Sequence, residues 1–456
     1  MNDSVLFASI LSLLGAFYIG MSYFFSPSVH SKKEFFLGNR SFGTFSIAAT
    51  LVAAQIGGGM FLGTAQEPVK GLLYIIGLTI GFLVLGFGIA EKYRNFNTET
   101  LGHILERRYQ SPLLRHLCSI ISIISIIGIL LGQALAAQSI LSYFGGTTAW
   151  YLFPLFWMSM VIYTMIGGLN AVIVTDVIQI AIVIIVFTGI FISIILHNPT
   201  ALFSSQGIQT IVQHTIQTPL SSSDIARLII VPILFSIITQ DLAHRFFAAK
   251  NGVTAKMAAL YAAIALLFFG FIPFYFGFLA QQEAILVPTG VSPLLPFLRL
   301  HTSSFAFVLA ACGLIAAIGS TIDGLLCVGS SIIYHLYTTV RKKTSASSVS
   351  LSQKTVLIFG ILLLASSYFI PNSIIDLLIQ SYEISVACLI IPIFFALFSS
   401  QSLFWKSGFY AMLGGLSGFI IAKAFGFHTW AFLIALTCSL FCHLIMDFLC
   451  FQHKDA

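Results

Sequence analysis

The chain is cut into apolar runs of the length a bilayer requires, and no other feature restricts its fold as strongly. Thirteen such runs can be read, at 5–25, 43–64, 71–90, 116–140, 146–166, 169–197, 224–243, 255–281, 302–337, 354–371, 373–398, 403–424 and 428–450. Each is near the ~20 residues that cross hydrocarbon as a helix. Within hydrocarbon every backbone N–H and C=O needs a partner from the protein, which leaves helices as the spanning element. The expected fold is therefore an all-α polytopic membrane protein, one membrane domain over 1–456. Only 8% of its residues are charged, against about 25% in soluble domains.

The charges that remain are distributed by the membrane. With the N-terminus outside, all of the 21 basic residues except Lys70, Arg227, Arg299 and Lys423 fall on the inner side. The positive-inside rule then predicts an outer N-terminus and an inner C-terminus. The net charge of +6 is thus no nucleic-acid footprint, and the surrounding partner is lipid. Val5–Phe25 reads as a retained first span, because it lacks a small-residue cleavage site and is long enough to cross. The seven cysteines all lie in apolar segments, where thiols act as small hydrophobes. Cys438 and Cys442, beside His443, have metal-like spacing, but packing is the preferred reading. No P-loop, HExxH or paired CxxC occurs, so neither enzyme chemistry nor an organic cofactor is expected.

Inside this frame the stretch Thr50–Gly63 stands out, with Gly57, Gly58 and Gly59 consecutive within an apolar run. Each glycine weakens a helix by roughly 1 kcal/mol relative to alanine. Irregular backbone at membrane depth lines cavities or is buried in protein, so a broken helix is expected here; close helix packing through small residues is the competing reading. Setting the first span aside, spans two to six (43–197) and seven to eleven (224–398) form two sets of five, followed by two accessory spans (403–450). Five is odd, so the sets have opposite orientation, as inverted-repeat transporters require. Pro232 is the disturbance expected in the first span of the second set. The inner loop is expected to hold an amphipathic helix at Glu99–Tyr109, packed on the inner mouth.

Polar groups cluster at a few places. In the ninth span Ala317, Ser320, Thr321, Gly324 and Cys327 recur every three or four residues, a small and hydroxyl stripe on one helical face. Such a stripe serves close packing or offers oxygens to a hard cation. Asp323 lies beside it, and a carboxylate within a span costs at least ~2.5 kcal/mol unless a cavity or partner receives it. Asp176, flanked by Thr175 and Gln179, is either a snorkelling interfacial group or part of a functional polar edge on an apolar helix. Glu383 lies inside the eleventh span and is structural, solute-binding or proton-carrying. Gln55, Gly58 and Met60 at the glycine run are candidate solute groups, with Gln133, Ser236, Gln380 and Glu383 from other spans; for Gln55 and Gln133 polar glue between helices is the preferred reading.

These motifs together resemble the sodium/solute symporter family. YTMIGGLNAVIVTDVIQ at 163–179 is similar to the signature YTxxGGLxAVxxTDxxQ. It is accompanied in family order by EFFLGNRSFG at 34–43, GGGMFLGTA at 57–65, TLGHILERRY at 100–109, HRFFAAK at 244–250 and GSTIDGLLCVGSSIIYHLY at 319–337. The resemblance implies a LeuT-like five-plus-five inverted repeat with one extra N-terminal helix. It implies a sodium site made by the carbonyls of Ala53, Ile56 and Ala317 with the hydroxyls of Ser320 and Thr321. Asp176 matches the signature aspartate, associated with a second sodium site or the ion's inward path. Where members with that second site carry small hydroxyl residues, this chain has Asp323 and Gly324. The GGGxxxGTA spacing and the acid in the eleventh span resemble the choline-transporting branch, but the positions of its aromatic cage hold Gln55 and Thr239. The function expected is sodium-driven uptake of a small polar organic solute across the cytoplasmic membrane by a monomer or loose homo-oligomer. The alternatives are proton coupling through Asp323, Asp176 or Glu383, and a non-transporting solute sensor.

Overall fold

The computed structural model describes residues 3–25, 32–197, 220–287, 291–340, 349–369, 374–401 and 403–452. Most of the expected outer connection 198–223 and inner connection 341–352 lies outside the described residues. So do Arg341, Lys342, Lys343 and Lys454 of the charge argument. The first half runs α1 (Asp3–Phe25), α2 (Lys32–Leu37), α3 (Thr44–Gln55), α4 (Gly59–Gln66), α5 (Pro68–Phe96), α6 (Leu101–Tyr109), α7 (Pro112–Gly145) and α8 (Ala149–His197). The second runs α9 (Ser222–Ile238), α10 (Gln240–Ala248), α11 (Gly252–Gln282), α12 (Leu294–His301), α13 (Ser304–Val340), α14 (Val349–Ser366), α15 (Ile374–Phe398), α16 (Trp405–Ala424) and α17 (Ala431–Gln452).

Among the described residues, nine helices are long and apolar enough to cross a bilayer, or up to 11 when each of two bent pairs is one crossing. Two further spans were expected from the sequence, and each difference has a local cause. Helix α8 runs over 49 residues, more than twice the ~20 that cross a hydrocarbon core as one helix, and joins two expected spans through a kink. It is interrupted by Gly168 at φ 57, ψ −157, a backbone region open mainly to glycine. A Cβ there would also sit 2.6 Å from the Phe35 carbonyl. Helix α16 carries Lys406 and Lys423 near its two ends, which lower its mean hydropathy, and Gly414, Gly415 and Gly418 press it against Cys438, Cys442 and the backbone at Ala387. The two thiols thus pack against glycine, and no group of three or more His, Cys, Asp or Glu suited to a metal occurs among the described residues.

Both breaks are real bends. Helices α3 and α4 meet at 51°, and α9 and α10 at 42°. The first falls at the glycine run, where Ile56 leaves helical geometry at φ −79, ψ 67. The second corrects the expectation at Pro232, which lies inside α9; the chain instead turns at Thr239, φ −70, ψ 128. Proline removes its own N–H bond and crowds the carbonyl one turn earlier, and membrane helices absorb both through local adjustment. At Thr239 a new helix starts, with Asp241 in its first turn, where a carboxylate meets the positive end of the helix dipole. The two broken segments are tied together at their far ends, since the Lys250 N–H, two residues past α10, donates to the Phe42 carbonyl, two residues before α3, at 2.9 Å.

Helix α13 forms the centre of the bundle: 83% of its most apolar 18-residue window is buried, against 11% for α1 and 22% for α17. Helix α6 forms as the sequence predicts. Thr100 caps its start, and Leu101, Ile104 and Leu105 pack inward.

Candidate functional site

The first bend lies against the centre of α13. Ser320 Oγ is 3.2 Å from the Ala53 carbonyl and 2.8 Å from that of Ala317. Thr321 Oγ1 is 3.4 Å from the Ala54 carbonyl and 3.3 Å from that of Ala317. Ser320, Thr321, Ala53, Ala317 and Ile56 are all buried. Two hydroxyl protons therefore serve three carbonyls in a water-poor place. That excess of oxygen acceptors over donors is the environment a hard monovalent cation completes. The ψ of 67 at Ile56 turns its carbonyl away from the α3 ladder on the same bend.

Gly57 makes this approach feasible, because a Cβ there would lie 2.6 Å from Thr321 Oγ1 and 2.7 Å from Gln133 Oε1. Gln133 in turn accepts from the Gly58 N–H at 2.8 Å, satisfying a donor that the bend would otherwise orphan.

A buried charged network adjoins the bend. Asp176 is fully buried and accepts from the Thr50 hydroxyl. Arg245 lies 3.7 Å from Asp176 through Nη2, donates to Thr50 Oγ1 at 3.0 Å, and pairs through Nη1 with Asp241 one turn earlier in α10. Asp176 is thus an interior group and not a snorkelling one. Arg245, assigned to an inner segment by the charge count, is itself buried at 1% exposure. Gly324 gives it room, since a Cβ there would be 2.4 Å from Arg245 Nη2. Asp323 is also fully buried. The sequence held a signal for Arg245: Asp241 and Arg245 are i,i+4 on one helical face, opposite a glycine.

A small cavity of about 20 Å³ lies between the two bends, room for about one water. Gln55, Met60 and Gln133 line it, as do Thr239, Asp241, Tyr74, Phe235 and Tyr382. The aromatic residues were not foreseen. Phe235 and Tyr382 stack with centroids 3.8 Å apart, and the Tyr74 and Tyr382 hydroxyls are 3.0 Å apart.

Three expected solute groups sit elsewhere. Ser236 faces α5, where a Cβ on Gly81 would meet its Oγ at 2.7 Å, and its hydroxyl bonds back to the Pro232 carbonyl at 2.8 Å. Gln380 is exposed on α15. Glu383 is fully buried but engaged: Arg227 Nε lies 2.5 Å and Nη2 3.2 Å away, and Lys423 Nζ 3.4 Å away. Two of the four basic residues assigned to the outer side are thus spent on this one carboxylate.

Known proteins share this arrangement of helices. A Na+-coupled sialic acid symporter, solved substrate-bound and outward-open, superposes with a TM-score of 0.76 at 18% identity over 97% of each chain. Mhp1, a nucleobase-cation-symport-1 family transporter in a closed conformation, gives 0.55 at 14% identity over 90% of this chain and 92% of its own. MhsT with L-phenylalanine gives 0.51 at 13% over 89% and 97%. At these identities the likeness is one of fold, the LeuT-like one. In sequence, the chain is 30% identical over 202 residues to the sodium/pantothenate symporter of Escherichia coli (strain K12). That stretch spans 42% of this chain and 41% of the relative, under half of each. The sequence model of one family runs much further, over residues 35–418. It takes in both bends, the signature at 163–179 and the Ser320–Thr321 stripe, and the chain belongs to the sodium:solute symporter family.

Proposed function

We propose that this protein is a secondary active transporter, carrying a small polar organic solute into the cell together with Na+ by alternating access about its two broken helices. The single observation that carries this reading is the convergence of Ser320 and Thr321 hydroxyls on the Ala53, Ala54 and Ala317 carbonyls at a helix break. In this reading the carbonyls of Ala53, Ile56 and Ala317 and the two hydroxyls hold the ion. Sodium then bridges α3 and α13 and sets the α3–α4 bend in the geometry that receives solute. The cavity of about 20 Å³ is far below the ~300 Å³ of ordinary ligand pockets, so the walls must part to admit solute.

The two five-helix sets at 43–197 and 224–398, each opened by a bent pair, form the inverted repeat, with 403–450 accessory. Counting α8 as two crossings and α16 as one gives thirteen, with the N-terminus outside and the C-terminus inside the cytoplasmic membrane. The protein acts as a monomer or a loose homo-oligomer and uses no organic cofactor.

Uptake into proteoliposomes tests the ion site. Ser320→Ala with Thr321→Ala should raise the sodium concentration for half-maximal uptake at least tenfold, and unchanged sodium stimulation would sink the assignment. Uptake driven by a pH gradient in sodium-free buffer would move the coupling to a proton, for which the buried carboxyl of Asp323 is the receiving group.

A further inference from the structure

The cavity between the bends contains one charged side chain among its described lining residues, the carboxylate of Asp241. Among the described lining residues there is no Lys, Arg or His. Around that carboxylate stand the acceptors of Gln55 and Thr239 and the rings of Tyr74, Phe235 and Tyr382. Behind it, Arg245 pairs with Asp241 and lies 3.7 Å from Asp176. Buried charge of one sign is costly unless compensated. A univalent cation in the cavity would be compensated by Asp241, the charged group of its described lining.

We propose that the solute is a small protonated amine, recognised through its N–H groups by Asp241 and through its charge by the surrounding rings. This rests on the reading of the chain as a sodium symporter and names its substrate class. An ammonium group brings N–H donors that match the acceptors of Asp241, Gln55 and Thr239, and aromatic faces attract a desolvated cation. A carboxylate solute would meet the Asp241 carboxylate, with no cation among the described lining residues to receive it. A quaternary ammonium would satisfy the charge and leave the hydrogen-bonding acceptors without donors.

The test is ligand-induced thermal stabilisation of the purified full-length protein, read in NaCl and in KCl. The probes are ethanolamine, butylamine and phenethylamine, each beside the alcohol of the same skeleton. Choline, L-phenylalanine, pantothenate and N-acetylneuraminate complete the set. At least one amine should stabilise the protein at concentrations tenfold or more below its alcohol, and Asp241→Asn should weaken that response at least tenfold. Asp241→Asn also strips Arg245 of its partner, so Phe235→Leu provides a second variant that keeps every charge, and it should weaken the amine response severalfold. Amine stabilisation that is equal in NaCl and KCl would support the substrate class while rejecting sodium coupling. Sodium-dependent stabilisation by pantothenate, N-acetylneuraminate or L-phenylalanine, with none by the amines, would overturn the proposal and leave the symport reading standing. Stabilisation by choline above every amine would also overturn it, as would an amine response that survives both substitutions.

Discussion

At the scale of single residues, Gly57 and Glu383 show how differently two buried positions can act. Gly57 contributes nothing but its missing side chain, which lets the α3–α4 bend meet Thr321 and Gln133. Gly57→Ala puts a methyl 2.6 Å from Thr321 Oγ1 and should cost about 1–3 kcal/mol by overpacking, with a larger loss of sodium-stimulated uptake than of thermal stability. Gly15→Ala, where a Cβ meets nothing within 4 Å, is the control and should change neither. Glu383 illustrates the opposite case, a carboxylate whose partners are already in place. Glu383→Gln would leave Arg227 and Lys423 facing a neutral amide. Their side chains keep 17% and 31% exposure, so the loss should fall below the ~3–5 kcal/mol of a fully buried pair. It should appear as a lower unfolding temperature with solute affinity largely retained. A variant with wild-type stability and no solute binding would return Glu383 to the solute site.

At the scale of elements, the two bends solve one problem with different chemistry. Breaking a helix in hydrocarbon frees carbonyls and N–H groups that need partners. At the first bend the hydroxyls of Ser320 and Thr321 and the amide of Gln133 supply them. At the second, the Tyr93 hydroxyl donates to the Ile237 carbonyl, just before the turn at Thr239. Tyr93→Phe removes that donor with almost no change of shape, leaving a buried carbonyl unpaired at a cost of about 1–3 kcal/mol. Unfolding measured in detergent should show the loss, and a stability equal to wild type would mean the carbonyl finds another donor. The site of the second break was itself legible, in the Thr239-Gln-Asp241 sequence that opens a helix. Pro232 drew attention away from it because proline is the more conspicuous breaker.

At the scale of the whole molecule, charge predicts the orientation and labelling can check it. Leu286, 95% exposed after α11, should face outward, and the exposed Lys250 before α11 should face inward. A membrane-impermeant thiol reagent applied to intact cells should therefore label Leu286→Cys and spare Lys250→Cys until the membrane is opened. The reverse pattern would invert the topology.

The helical membrane fold, the place of the first bend and the oxygen stripe on α13 were set by the sequence alone. Apolar run length, consecutive glycines and three-to-four spacing are local quantities, complete within one segment of chain. Which polar groups meet was decided only by the tertiary structure. Arg227 and Glu383 are 156 residues apart in the chain, and Thr50 and Asp176 are 126 apart. Helical periodicity shows that each lies on a face but not which neighbour that face touches. For the same reason Glu383 and Ser236 read as solute groups and prove to be engaged elsewhere. Arg245 read as an inner-surface charge and proves to lie buried beside the cavity, between Asp241 and Asp176.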